Sequence, residues 1–246
     1  MSPKSAPIEH PLGGASVLVA GATGGIGSAV ADELHRRGAT LTLVARRQAS
    51  LDRLPTPGAR LAADLRSPEG CRAAVDAALA HGGDRIDAVV NAVGVVAFGV
   101  VEELSVDAME ELFLTNTFVP IFLAQAALEH LSPGAAIVNI SGVIAEQNLP
   151  GMAVYGASKA ALRSFDEGFA REARRRHIRV IDARPPHTET GLARRSIEGV
   201  APKMGAGLAP ERVAEVICDG LERGDRDLPS SVFAVSAPHA ATGSPS

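Results

Sequence analysis

The single tyrosine of this chain, Tyr155, stands four residues before Lys159 in the run Tyr-Gly-Ala-Ser-Lys. Lysine is nearly as scarce: the only others are Lys4 and Lys203, and arginine supplies the remaining positive charge. Residues i and i+4 share one face of a helix. An ammonium one turn away favours the phenolate and lowers a phenol pKa that is otherwise about 10. The pair then becomes a proton donor and acceptor usable near neutral pH. Two residues at this spacing also occur together on ordinary helices, so the chemistry depends on what surrounds them.

A glycine-rich turn, Gly21-Ala-Thr-Gly-Gly-Ile-Gly27, follows a β-branched run over 16–20 and opens a helical stretch that Gly38 closes. In that context glycines permit a tight turn and let a pyrophosphate approach the backbone at a helix N-terminus. Gly21, Gly25 and Gly27 make one pattern, and Gly21, Gly24 and Gly27 make another; spacing leaves both open. Further β-forming runs fall at 40–45, 60–63, 86–91, 135–140, 178–183 and 231–235. Helical stretches are expected over 68–80, 101–111, 112–131, 152–177 and 209–222. Such alternation implies an α/β protein, a parallel sheet with helices on both faces. No repeat or linker divides the chain. One domain is expected over 14–236, with a flexible arm at 1–13 and a flexible tail at 237–246.

The 246 residues are 46% hydrophobic and 21% charged, with a formal charge of −4, which gives no sign of nucleic-acid or membrane binding. Cys71 and Cys218 lack metal-ligand spacing and are expected to be reduced core residues of a cytoplasmic protein. The first residues lack the apolar segment of a signal peptide.

The glycine turn, Asn91-Ala-Val-Gly94 after the fourth strand, Asn116, and the Tyr155/Lys159 pair together resemble the classical short-chain dehydrogenases/reductases, over roughly residues 14–236. The resemblance implies a Rossmann-type, doubly wound, three-layer α/β/α fold and hydride transfer between a carbonyl or alcohol and a nicotinamide cofactor. It makes Tyr155 the general acid/base, with Lys159 lowering its pKa and binding the nicotinamide ribose. Asn116 holds a proton-relay water, and Ser141 is the serine nearest the substrate-binding position. Gly21, Thr23, Gly24, Gly25, Ile26 and Gly27 line the pyrophosphate. Asp64 and Leu65 lie at the adenine, Asn91 at the adenosine ribose, and Pro185, Thr188 and Thr190 near the nicotinamide. Substrate contacts are expected from Val143, Gln147, Val154 and the segment 187–208. The resemblance also makes the helices around 115–131 and 152–177 subunit interfaces, which implies a homodimer or homotetramer.

Cofactor choice has a physical argument. A carboxylate at the end of strand two binds an NAD ribose 2′-hydroxyl. Here Ala45 is followed by Arg46 and Arg47, and guanidinium groups suit a 2′-phosphate. NADP(H) is therefore expected over NAD(H).

Four positions depart from the family pattern: Ala20, Ala92, Pro186 and Gly142. The last falls thirteen residues before Tyr155, where the family carries its substrate-binding serine. Either the loop is longer and Ser141 serves, or the serine is missing. The second case motivates an alternative, a weakly catalytic cofactor-binding sensor or partner protein. An extended-type epimerase or dehydratase is disfavoured by the short C-terminal part.

Overall fold

The structure, a computed structural model, describes residues 10–234. Lys4, most of the expected arm and the expected tail lie outside the described residues. The sheet has seven strands, all parallel, in the order β3-β2-β1-β4-β5-β6-β7. They span Ser16–Ala20 (β1), Thr40–Ala45 (β2), Ala59–Ala62 (β3), Ile86–Asn91 (β4), Leu131–Ile140 (β5), Arg179–Ala183 (β6) and Asp227–Leu228 (β7). The helices are Gly25–Arg36 (α1), Gln48–Leu51 (α2), Pro68–Gly82 (α3), Val106–Phe113 (α4), Val119–Ala127 (α5), Ala153–Ala173 (α6), Pro210–Arg223 (α7) and Ser230–Phe233 (α8).

Alternate side chains of the central strands feed two separate cores. Val17, Val19, Leu41, Leu43, Val90, Val138 and Ile181 pack under α1 and α7. Leu18, Val44, Val89, Ile137 and Val180 pack under α3, α5 and α6. Strands buried on both faces are why these runs are apolar throughout rather than alternating. The two cysteines are free and buried, one in each core. Among the described residues no helix is long and apolar enough to cross a membrane.

Three expectations are corrected. The strand expected over 231–235 is not formed: Ser230–Phe233 is a helical turn and Phe233 is buried. The last strand is the two-residue β7, which pairs Leu228 with Ala183. The single helix expected over 112–131 is broken by a π-helical segment, Leu114–Phe118. It lies just before Pro120, which has no backbone N–H to donate into the preceding turn. The preceding helix also begins later than expected, at Val106, where Ser105 accepts from the Ala108 amide.

Candidate active site

The chain turns sharply where β1 ends. Gly21 has φ +77°, and a Cβ there would lie 2.9 Å from the backbone of Ala92 and Val93. A Cβ on Gly27 would come within 2.2 Å of the Gly21 carbonyl, and one on Gly25 within 2.5 Å of the Thr190 side chain. On Gly24 it would meet only the Gly21 carbonyl, at 3.2 Å. Sterics therefore demand Gly21, Gly25 and Gly27, which resolves the overlapping spacings. The N-terminus of α1 has neither a side-chain cap nor an acidic residue in its first turn. Its free amides form a ready anion cradle at the carboxyl end of the sheet, between β1 and β4 where the winding reverses. Thr23 and Ile26 are half-buried in this turn.

Arg46 and Arg47 follow β2 and are both exposed. Among the described residues neither forms a salt bridge. Asp64 has its carboxylate held by Arg66 at 2.7 Å, and Arg66 also reaches Glu111. The Arg66 hydrogen bond keeps the Asp64 pKa below its ordinary value. Leu65 beside it is buried.

Tyr155 and Lys159 stand on α6, as their spacing requires. The tyrosine packs against the cluster of Ala97, Leu104, Ala108 and Leu112, as Val95 does. This apolar enclosure pushes its phenol up to about 12. The expected depression by the lysine does not offset this rise, whose cause is burial. Lys159 is 5% exposed and donates from Nζ to the Ile140 carbonyl at 2.8 Å. Burial lowers its pKa to about 8, against the pull of Asp182 and Asp166.

Asn116 sits in the π-helical segment and is fully buried. Its Oδ1 accepts from the Val95 amide, and its Nδ2 donates to the Val95 carbonyl and to Ser158 Oγ, at 2.9–3.0 Å. Gly94 lies between this amide and Lys159: a Cβ there would be 3.3 Å from Asn116 Oδ1 and 3.4 Å from Lys159 Nζ. Asn116 and Lys159 are thus brought to one place. Asn91, at the end of β4, is engaged within the protein. Its Nδ2 donates to Asn139 at 3.1 Å and its Oδ1 accepts from the Val93 amide.

For Ser141 the sequence left two alternatives, service at the substrate or displacement from it. Its hydroxyl, 1% exposed, donates to Asp182 on β6 and is spent inside the core. The next residue is Gly142, with φ +89° and ψ 163°, a conformation essentially restricted to glycine. No hydroxyl therefore occupies the position thirteen residues before Tyr155. Pro185 accepts from the Val143 amide, Thr188 donates to the Pro186 carbonyl, and the Thr190 side chain rests on Gly25.

The segment after β6 folds back over this cleft. Ala97 bridges to Glu198, Ile197 N donates to Val96 O, and Phe98 N donates to Glu198 O. The Glu198 carboxylate accepts from Ser105 N at 2.7 Å, which ties this strap to the start of α4. His187 lies 3.5 Å from Glu189. Sequence reasoning missed Asp166, Asp182, Arg184 and Glu146. Signals were present for two of them: Asp182 interrupts an apolar strand, and Asp166 falls two helical turns beyond Lys159.

Residues 15–200 match the short chain dehydrogenase family. A hydroxynaphthalene reductase-like protein of Metarhizium brunneum is 34% identical over 74% of this chain and 71% of its own length. A tetrahydroxynaphthalene reductase of Pestalotiopsis fici is 30% identical over 75% and 69% respectively. Among solved structures, a short-chain dehydrogenase of Burkholderia cenocepacia in complex with NADP superposes with a TM-score of 0.78. It is 26% identical, covering 90% of this chain and 97% of that one.

Proposed function

The chain belongs to the short-chain dehydrogenase/reductase family and is an NAD(P)-dependent oxidoreductase acting between CH–OH and C=O groups, and from that footing we propose that it is an NADP(H)-dependent carbonyl reductase with Tyr155 as its general acid. The observation that carries this reading is the meeting of Lys159 and Asn116 around Gly94, with Tyr155 one turn before Lys159 on α6, at the same end of the sheet as the uncapped α1 N-terminus. A dinucleotide fits the residues present. The Gly21/Gly25/Gly27 turn would hold its pyrophosphate, and Arg46 and Arg47 a 2′-phosphate. Thr188 and Thr190 would border the nicotinamide, and Asp64 and Leu65 the adenine.

When bound, the cofactor supplies the hydride. Tyr155, protonated at neutral pH, gives the phenolic proton to the carbonyl oxygen. Lys159 stabilises the resulting phenolate by its charge, and Asn116 holds Val95 and Ser158 so that Gly94 and Lys159 keep their spacing. Ser141 acts from the core, through Asp182, rather than at the substrate. With no hydroxyl at Gly142, Tyr155 polarises the carbonyl without a second side-chain donor there. The enclosure by Val95, Ala97 and Leu104 suits an apolar or aromatic ketone, and the Metarhizium and Pestalotiopsis relatives make hydroxynaphthalene-type compounds the first probes. A homodimer or homotetramer through the α5 and α6 faces fits the exposure of Phe118, stacked on Phe122.

Gly142 favours a second reading, a cofactor-binding protein with little turnover. Titration with NADPH and NADH, followed by a ketone panel with wild type and Tyr155→Phe, separates the two. Turnover that the Phe substitution leaves unchanged refutes the Tyr155 mechanism. Tight NADPH binding with no turnover on the whole panel supports the second reading.

A further inference from the structure

Asp166 follows Lys159 by two turns of α6, so both lie on the face of the helix that covers the sheet. The side chain is 3% exposed. Its Oδ1 accepts from Asn139 Nδ2 at 2.6 Å, and its Oδ2 has no hydrogen-bond partner. Asn139 is itself the middle of a polar row: the register pairs it with Asn91 on β4 and with Asp182 on β6. Lateral neighbours in a parallel sheet point to the same face, so this row lies under α6. Lys159 enters the same layer and donates to the carbonyl of Ile140, the residue after Asn139.

The two buried carboxyl groups are treated unequally. Asp182 accepts from Ser141 and from Arg184, and Arg184 goes on to Asp227 and Glu146 at the rim. That guanidinium is shared among three carboxylates. Asp166 forms no ion pair of its own among the described residues, and the charges that reach it across the layer are those of Lys159, on the same helix, and Arg184. An orphaned carboxyl oxygen in a core lowers stability, and an apolar residue would avoid the loss.

We propose that Asp166 is a positioning residue that titrates with Lys159 as one buried unit and so sets the charge that Tyr155 feels. The unit holds one proton in either of two net-neutral arrangements, carboxylate with ammonium or carboxylic acid with amine. An ionised Asp166 favours the charged lysine, and a protonated Asp166 leaves burial to disfavour it. Tyr155 and Asp166 face Lys159 from α6, and Asp182 and Arg184 from β6 and the residue after it. The strand β5 and the Leu114–Phe118 segment add only the uncharged Asn139, Ser141 and Asn116. Burial and then the charge of Asp182 hold the Asp166 carboxyl well above its ordinary range, while the Asn139 hydrogen bond and then Lys159 and Arg184 oppose that rise. The lysine is displaced in the opposite direction. Two groups whose pKa values move towards each other titrate as a coupled pair. The proposal rests on reading Tyr155 and Lys159 as the proton-transfer pair, and it gives that pair a partner which compensates for the hydroxyl missing at Gly142.

The chain has three lysines, so carbon-13 NMR of the lysine ε-carbons follows Lys159 directly. In wild type, the Lys159 ε-carbon and the Asp166 carboxyl carbon should share an inflection. In Asp166→Asn, the Lys159 midpoint should fall by roughly one pH unit, and Asp166→Glu should restore it. Separate inflections in wild type overturn the proposal, and so does an unchanged midpoint in Asp166→Asn. The wild-type measurement decides the matter even if the variants fail to fold. The same titration in Tyr155→Phe keeps the two readings apart. Coupling that persists there alongside intact turnover removes the catalytic reading of Tyr155 and leaves the pair standing.

Discussion

Placing a serine at Gly142 tests whether that position faces the reacting oxygen. Space does not forbid it, since a Cβ there meets nothing nearer than the Pro185 carbonyl at 3.7 Å. The backbone does resist it. At φ +89° and ψ 163° an L-residue is strained by ~1–3 kcal/mol. For a chain of this length that corresponds to a loss of roughly 2–12 °C in Tm. Gly142→Ala carries the same strain without the hydroxyl, so the comparison of Ser with Ala isolates the donor. A second donor to the carbonyl oxygen beside Tyr155 should raise kcat of Gly142→Ser over Gly142→Ala by about 100-fold, the lower end of what one such donor contributes. The assay is single-turnover reduction of a ketone that the wild type accepts, read as NADPH consumption, with thermal unfolding of all three proteins alongside. Equal rates for the two variants, both folded, would refute the assignment of Gly142 to the missing hydroxyl's place. A Ser variant with no loss of Tm would refute the strain argument separately.

Arg46 and Arg47 make no salt bridge among the described residues, so the charge reversal Arg46→Glu should weaken NADPH binding by roughly 10- to 100-fold while sparing NADH; equal losses for both cofactors in fluorescence titration would count against a 2′-phosphate contact. Ketone reduction should be level at neutral pH and fall as pH rises through about 8, where Lys159 gives up its proton; a pH–rate profile level to pH 10 in wild type would contradict this. The same shift has a stability consequence. Lys159 is lowered from 10.5 in the unfolded chain to about 8, so between those values the unfolded state binds more protons and stability rises with pH. Urea unfolding of Lys159→Met should lack that rise.

Short-range pattern carried most of the fold. The strands at 16–20, 40–45 and 86–91 have the bounds their apolar runs give, because strands buried on both faces are marked by composition alone. The edge was harder to read. β7 is only two residues long, and what places it is distant: Leu228 pairs with Ala183, and Asp227 holds Arg184. A two-residue strand gives no period to detect. The π-helical segment at Leu114–Phe118 was hidden for a related reason. Nothing in Leu-Thr-Asn-Thr-Phe distinguishes it from ordinary helix, and its Asn116 is fixed by Val95, twenty-one residues earlier.

The site divides along the same line. Gly21 and Gly27 were legible because their role is a backbone constraint, set within a few residues by how closely β1 and α1 approach. Side-chain commitments were not. Ser141 and Asp182 are 41 residues apart, and Asn91 and Asn139 are 48 apart; each hydroxyl or amide could face either the cleft or the core until its partner was placed. The spacing that identified Gly142 as a missing serine could not say why glycine stands there. The backbone supplies the reason, since its conformation at 142 excludes a side chain at low cost. Ser141 is thereby free to serve the buried carboxylates instead of the substrate. The glycine conformation at 142 and the Ser141–Asp182 contact stand side by side, and on the proposed mechanism Tyr155 then relies on the charge of Lys159.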